Sequence, residues 1–325
     1  MASETVKNTN RAGYIFGDYL LMLIAPCVLS VWYYGKAASV TILTCVLTSV
    51  ICDIVASIIV RKQYFVADLS ALCSGIMIAL MMPAGVPVYV CIVACIFAVT
   101  VVKIPFGGGM RVPFVPAAAG FAFASVCFGD LLFTYSGGRD GMLTASVSSV
   151  LASGNSMKID ISSIIDILTG NIYGPMGTGC IIVFIGCAAF LFIRRRSALF
   201  TTGSFLLTVI AASLIAPRSS GSVLASPVLE LASGSLMFAA IFLLTDYATI
   251  PRRTLNKIVY GVFCGIVTMV MRHTGAFEET ICFAVVISNA FSPLLEMATD
   301  RLDIIITTSD KKREKKEEEV KTVEQ

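Results

Sequence analysis

The sequence has few charged residues. Asp, Glu, Lys and Arg make up 14% of its 325 residues, whereas a soluble globular domain has roughly 25%. Hydrophobic residues make up 57%, and the mean hydropathy is +0.86. This composition excludes a water-soluble domain and predicts an integral membrane protein in a lipid bilayer, with no nucleic-acid partner.

Catalytic and metal-binding motifs are also scarce. His273 is the only histidine, and there is no G-x-S-x-G, P-loop or H-E-x-x-H motif. The eleven cysteines lie almost all in apolar runs without C-x-x-C spacing. Cys91 and Cys95 share a helix face, where we expect them to pack as small apolar groups. We therefore expect no metal cluster, no soluble-type catalytic site and no proton relay in this chain alone.

Apolar runs between polar breaks predict about ten transmembrane helices, since a spanning helix needs about 20 largely apolar residues. The runs cover residues 14–34, 38–60, 69–83, 87–104, 113–128, 176–193, 199–216, 228–245, 257–271 and 280–297. The third and fifth runs are short for a bilayer. Short runs favour half-helices or helices buried among others.

The distribution of basic residues predicts the orientation. With the N-terminus in the cytoplasm, only five of the 24 basic residues fall on the outer side, as the positive-inside rule requires. An even number of helices places the C-terminus in the cytoplasm as well. The predicted organisation is a cytoplasmic N-terminus (1–13), five helices (14–128), an extracytoplasmic loop (129–175), five helices (176–300) and a charged cytoplasmic tail (301–325).

A short motif recurs in the two halves. Residues 72–77 read L-C-S-G-I-M and residues 231–237 read L-A-S-G-S-L-M, at the start of the third and eighth helices. Because five is odd, two five-helix repeats have opposite orientations in the membrane. The predicted fold class is therefore all-α, with about ten transmembrane helices in two inverted five-helix repeats.

The segment joining the fourth and fifth helices, residues 102–117, carries candidate site residues. It contains Lys103, Gly107, Gly108 and Arg111. Glycines let the backbone approach a flat ligand closely, and an arginine can meet an anionic group. A tight turn anchored by basic residues is an equally good interpretation.

A second cytoplasmic segment, residues 244–253, follows the eighth helix. It combines Asp246 with Arg252 and several hydroxyl groups. An acid at a helix end beside arginines is typical of a ligand site or of a locked loop.

Several stretches together resemble the RnfD/NqrB family, whose members belong to the Rnf complex and to the related sodium-pumping NADH:quinone oxidoreductase. The motif S-G-x-x-x-A-L matches residues 74–80. The motifs V-x-K-x-x-F-G-G and P-F-x-P-A match residues 101–108 and 113–117. The motif A-T-D-P-x-T-x-P-R is similar to residues 244–252, and N-x-x-x-P-L-(I/L)-(D/E) matches residues 289–296. The resemblance covers most of the chain and implies a fold similar to that of urea channels, that is, urea-transporter-like.

The resemblance implies a covalent flavin. In the family, a flavin transferase attaches FMN through a phosphoester to the last hydroxyl of a D-x-x-(S/T)-G-A-(S/T) motif in the outer loop. Asp140, Ala145 and Ser146 match this motif, which makes Ser146 the predicted attachment site. Leu143 and Thr144 depart from the motif, and Thr144 is a second candidate acceptor.

The family also binds a second, noncovalent flavin, such as riboflavin, near the cytoplasmic side. The candidate residues for this flavin, or for another cytoplasmic site, are Lys103, Gly107, Gly108, Arg111, Asp246 and Arg252. Val112 and Val115 stand where the family motif has asparagines, which removes two amides from a polar contact to that flavin.

The resemblance further implies an electron-carrying component of a bacterial inner-membrane complex that oxidises ferredoxin, reduces NAD and exports Na+ or H+. The expected partners are the other Rnf-type subunits (A, B, C, E and G), which would hold the hydride chemistry and the iron–sulfur centres. The chain would be enzymatic only within that translocase, without an acid or base catalyst of its own. Two alternatives stay open: a urea-type channel or small-solute transporter, and a flavin-free scaffold subunit.

Overall fold

The computed structural model describes residues 2–60, 69–108, 112–136, 143–144, 146, 174–218, 225–275 and 279–301. The first half forms helices α1 (Ala2–Tyr34), α2 (Lys36–Val60), α3 (Ser70–Met81), α4 (Val88–Ile96), α5 (Pro116–Cys127) and α6 (Gly129–Leu132). A π-helix (Phe97–Lys103) extends α4 without a break. The α1 backbone is helical from Ala2, which includes most of the segment predicted as an N-terminal extension.

A short hairpin follows α6. Its strands are β1 (Tyr135–Ser136) and β2 (Leu143–Thr144), which pair antiparallel with Tyr135 opposite Thr144. The second half continues with α7 (Ile181–Arg194), α8 (Ala198–Ile215), α9 (Ala225–Ala232), α10 (Leu236–Phe238), α11 (Thr254–Thr274) and α12 (Ile281–Arg301). A second π-helix (Ala239–Leu243) extends α10.

The helices are those of a multi-pass membrane protein. Within the described residues, five helices are long and apolar enough to cross a membrane, and the bent pair α9–α10 makes a sixth span if it is counted as one. The shorter apolar helices are Ser70–Met81, Val88–Lys103, Pro116–Cys127 and Ile181–Arg194. Each apolar run picked out in the sequence thus contains a helix. That all of them cross the bilayer, as inverted repeats with a urea-channel-like fold, stays a prediction.

The exposed and buried faces of α2 are reversed relative to a soluble protein. Ile58 and Ile59 are 70% and 74% exposed, whereas Ser49 and Asp53 are 0% and 3% exposed. Polar groups that face the bundle and aliphatic groups that face outward are expected of a helix in lipid. The burial pattern therefore agrees with the hydropathy of the sequence.

Small residues let α8 and α11 pack closely. A Cβ atom on Gly261 would lie 2.5 Å from the carbonyl oxygen of Thr201, and one on Gly265 would lie 2.8 Å from the Cβ of Thr208. Glycines four residues apart form a smooth strip on α11, a common way for membrane helices to approach each other.

The segment predicted as the eighth helix, residues 228–245, is broken in the structure. The chain bends by 72° between α9 and the segment that begins with α10. Gly234 lies at the bend with a φ of +61°, a conformation that favours glycine and ends a helix. At the bend the N–H of Ser235 is not bonded within a helix and donates to Glu279 instead.

Candidate functional site

A small cavity lies where α3, the π-helix after α4, α5 and the turn after α10 meet. Its lining includes Ser70 and Ser74 from α3, Lys103, Pro116 and Asp246. Two candidate residues from the sequence that are 143 positions apart, Lys103 and Asp246, are thereby brought to one site. We call it the Lys103 pocket.

The charge of Lys103 is balanced inside the protein. Its Nζ atom lies 2.8 Å from Oδ1 of Asp53 on α2, and the side chains are 1% and 5% exposed. Because a buried charge without a counter-ion is very unfavourable, this pair requires both members. Asp53 was not a candidate from the sequence, since nothing in the pattern shows which cation it meets.

Asp246 is 7% exposed. Burial raises the pKa of its carboxyl to about 6, while the charge of Arg195 and the backbone N–H groups of Tyr247 and Ala248 lower it. Arg195 lies between two aromatic rings, 5.3 Å from the centre of Tyr19 and 5.2 Å from that of Tyr247. Sequence analysis missed this stacked arginine because a run of three arginines reads as a membrane-surface anchor.

Two helices begin at the pocket. Ser70 is the first residue of α3, and Pro116 is the first residue of α5. The first N–H groups of a helix have no partner within it, and its N-terminal end carries a partial positive charge. The pocket can therefore hold an electron-rich polar group between these helix ends, Lys103 and Asp246. Val112 and Val115 also line it.

The cavity measures about 20 Å³, which is enough for one water molecule. The second, noncovalent flavin stays a prediction.

Three of the remaining candidates, Gly107, Gly108 and Arg252, do not line the cavity. Gly107 and Gly108 have φ values of +100° and +68°. Their N–H groups bond to the carbonyl oxygens of Ile104 and Lys103 and end the π-helix, so that both glycines are required by the turn itself. Arg252 is exposed, and Arg111 lies outside the described residues.

The predicted flavin attachment site lies at the other end of the bundle. The residue that begins α5 lines the Lys103 pocket, whereas β1 follows the far end of α5 and α6. Tyr135 of β1 is 1% exposed and Ser146 is 2% exposed. The backbone of Thr144 pairs with Tyr135. Asp140 and Ala145 lie outside the described residues.

Comparison with known proteins places the chain in a family. A family model described as the NQR2, RnfD, RnfE family matches residues 2–304. The chain is 28% identical to the D component of the Na(+)-translocating ferredoxin:NAD(+) oxidoreductase complex of Acetobacterium woodii, over 89% of this chain and 83% of that protein. It is 26% identical to the D component of an ion-translocating oxidoreductase complex of Methanosarcina acetivorans, over 86% and 88%. A relative of the same name from Pseudomonas aeruginosa is 26% identical over 91% and 93%.

Proposed function

Because the chain belongs to the NQR2, RnfD, RnfE family, we propose that it is the electron-transferring membrane subunit of an Rnf-type complex, with FMN attached to Ser146. The observation that carries the assignment is the family match over residues 2–304. The relatives from the three organisms named above are covered over 83% to 93% of their length. A match over nearly whole chains supports the same place in a complex.

Ser146 supplies the alcohol oxygen that a phosphoester to FMN requires. It follows β2 closely, and β2 is held by its pairing with Tyr135. Since Ser146 is buried, a flavin transferase must reach its hydroxyl before this stretch packs.

FMN supplies one-electron steps when bound, while the protein sets its position and potential. The other Rnf-type subunits (A, B, C, E and G) would oxidise ferredoxin, reduce NAD and hold the iron–sulfur centres. Export of Na+ or H+ would be coupled to this electron flow across a bacterial inner membrane, with both termini in the cytoplasm. The distribution of basic residues supports that orientation.

Flavin fluorescence tests the proposal. The native chain, Ser146→Ala and Thr144→Ala are each expressed with a flavin transferase, denatured, separated by electrophoresis and illuminated. We expect fluorescence in the native chain and in Thr144→Ala, and none in Ser146→Ala. Fluorescence lost only in Thr144→Ala would move the attachment site to Thr144. A native chain without fluorescence would favour a scaffold subunit or a urea-type channel.

A further inference from the structure

Buried charged side chains surround the bend between α9 and α10. Arg272, near the end of α11, donates to Glu230 Oε2 at 2.5 Å and to Ser233 Oγ at 2.9 Å. Arg218 donates to the other Glu230 oxygen at 3.2 Å. Arg272 and Glu230 are 4% and 1% exposed. Glu230 therefore has two cationic partners inside the protein.

Glu279 contacts the same bend from the segment before α12. Its Oε2 accepts hydrogen bonds from the Ser235 N–H at 3.0 Å and the Ser235 hydroxyl at 2.7 Å. Its Oε1 is buried and has no hydrogen-bond partner among the described residues. Glu279 is 1% exposed. Gly234 makes room for the carboxyl group, because a Cβ atom there would collide with Oε1.

An ionised oxygen in this position needs a positive partner. Burial of a carboxylate is strongly unfavourable unless every oxygen is hydrogen-bonded or paired with a cation. Burial also raises the pKa of Glu279, while Ser235 and the charge of Arg272 lower it. The charged and titratable groups that act on it are Arg272, which pairs with Glu230, and the thiol of Cys282. A proton or a small hard cation can satisfy Oε1.

A buried polar stripe runs along α11 from this cluster towards the other end of the helix. Its members recur every four residues and are at most 4% exposed: Asn256, Tyr260, Cys264, Thr268 and Arg272. The Tyr260 hydroxyl donates to Asn289 Oδ1 at 2.6 Å, and the Thr299 hydroxyl donates to Asn256 Oδ1 at 2.7 Å. The stripe is about 24 Å long at 1.5 Å per residue, most of the roughly 30 Å hydrocarbon core.

We propose that Glu279 binds a monovalent cation, Na+ or H+, and that the polar stripe on α11 is the route by which this cation crosses the membrane. The proposal rests on the proposed function, because that complex must move such a cation. It is an alternative to the expectation, drawn from the sequence, that no proton relay lies in this chain alone. Buried polar groups inside a bundle are typical of ion pathways in membrane proteins.

Chemical labelling tests the binding site directly in the assembled complex. Dicyclohexylcarbodiimide reacts with protonated carboxyl groups in apolar surroundings, and peptide mapping locates the product. Labelling of Glu279 that Na+ suppresses and K+ does not would support a sodium site. Labelling that falls with rising pH and ignores Na+ would support a proton site. A Glu279 that is not labelled at any pH or sodium concentration would overturn the proposal.

Glu279→Gln tests transport in proteoliposomes that contain the assembled complex. The amide oxygen of Gln still accepts from Ser235, whereas the negative charge is lost. We expect loss of Na+ or H+ uptake, with unchanged flavin fluorescence in the denatured subunit. Asp300→Asn is the matched control, because this carboxylate on α12 pairs with Arg253 at an exposed site. Native uptake by Glu279→Gln would overturn the proposal.

The two experiments separate this inference from the proposed function. Absent flavin fluorescence in the native chain would contradict the electron-transfer role without affecting the labelling of Glu279. If Glu279→Gln fails to assemble, labelling of the native complex still decides whether Glu279 binds a cation.

Discussion

Replacing Lys103 by Met should destabilise the protein because it breaks a buried ion pair with Asp53. Nζ of Lys103 and Oδ1 of Asp53 are 2.8 Å apart. Met keeps the apolar length of the Lys side chain and removes only the charge. The Asp53 carboxylate must then become protonated, draw in water or disrupt the contact between α2 and the π-helix.

The expected size follows from burial. Breaking a buried ion pair by removing one partner costs about 3–5 kcal/mol, and the Lys103 and Asp53 side chains are 1% and 5% exposed. The Arg253–Asp300 pair is 61% and 49% exposed, and such surface pairs contribute about 0–1 kcal/mol. Arg253→Met is therefore the matched control. The double variant Lys103→Met/Asp53→Leu should recover much of the lost stability, because no unpaired charge is left.

The free energy of unfolding can be measured by titrating detergent-solubilised protein with sodium dodecyl sulfate and following helical circular dichroism. Lys103→Met, Asp53→Leu and their double variant form a thermodynamic cycle that isolates the coupling between the two charges. Lys103→Met within about 0.5 kcal/mol of Arg253→Met would refute the reasoning. If Lys103→Met/Asp53→Leu were less stable than Lys103→Met and than Asp53→Leu, that result would also contradict the reasoning.

Two other substitutions test the packing and the electrostatics. Gly261→Ala should destabilise the protein by about 1–3 kcal/mol, because its Cβ would lie 2.5 Å from the Thr201 carbonyl oxygen. The same titration applied to Gly203→Ala, whose Cβ would meet nothing within 4 Å, is the control, and equal losses would contradict close α8–α11 packing. Burial raises the pKa of Asp246 from 3.8 to about 6, so the folded protein holds this proton more tightly than the unfolded chain. Its stabilising contribution is full below about pH 4 and is lost as the pH rises to about 6. Asp246→Asn should remove this decline in stability, whereas Asp300→Asn should retain it, and an unchanged decline in Asp246→Asn would assign it to another group.

The positions of the helices could be predicted because hydropathy reports which segments avoid water. The runs at 14–34 and 199–216 lie within about two residues of Tyr14–Tyr34 and Ala198–Ile215. The bend at Gly234 could not be predicted from the same signal. Small residues such as Ser233, Gly234 and Ser235 also occur within continuous helices, and only the backbone conformation shows that the helix ends there.

The partners of the buried charges could not be predicted from the sequence, because they depend on how separate segments pack. Lys103 was a candidate through its motif, but its pairing with Asp53 depends on how α2 packs against the π-helix. The stacking of Arg195 on Tyr19 and Tyr247 depends likewise on three separate segments. The polar stripe on α11 does have a sequence signal, since its members recur every four residues. Its neutral residues do not stand out in the sequence, because intramembrane charge is the usual sign of a polar pathway.

The flavin site was predicted from the resemblance to a family, whereas the helices were predicted from hydropathy. The family itself is confirmed by the match over residues 2–304. The roles of Ser146 and Thr144 stay predictions. Of the motif around them, Asp140 and Ala145 lie outside the described residues, and the structure adds the burial of Ser146. A loop whose chemistry depends on a modifying enzyme has no periodic pattern from which its function could be derived.

The two polar sites are related in a way that bears on the inverted repeat. Lys103 lies in the last turn of the fourth helix of the first half, and Arg272 lies in the last turn of the corresponding helix of the second half. The first lines a pocket with Ser74, and the second bonds to Ser233, the residue that matches Ser74 in the recurring motif. α11 is 21 residues long, about 30 Å, and separates the segment that holds Asp246 from Arg272. An inverted repeat would place equivalent sites at opposite membrane faces in this way. The Glu279 site is then the counterpart of the Lys103 pocket, and a cation route that begins at one would end near the other.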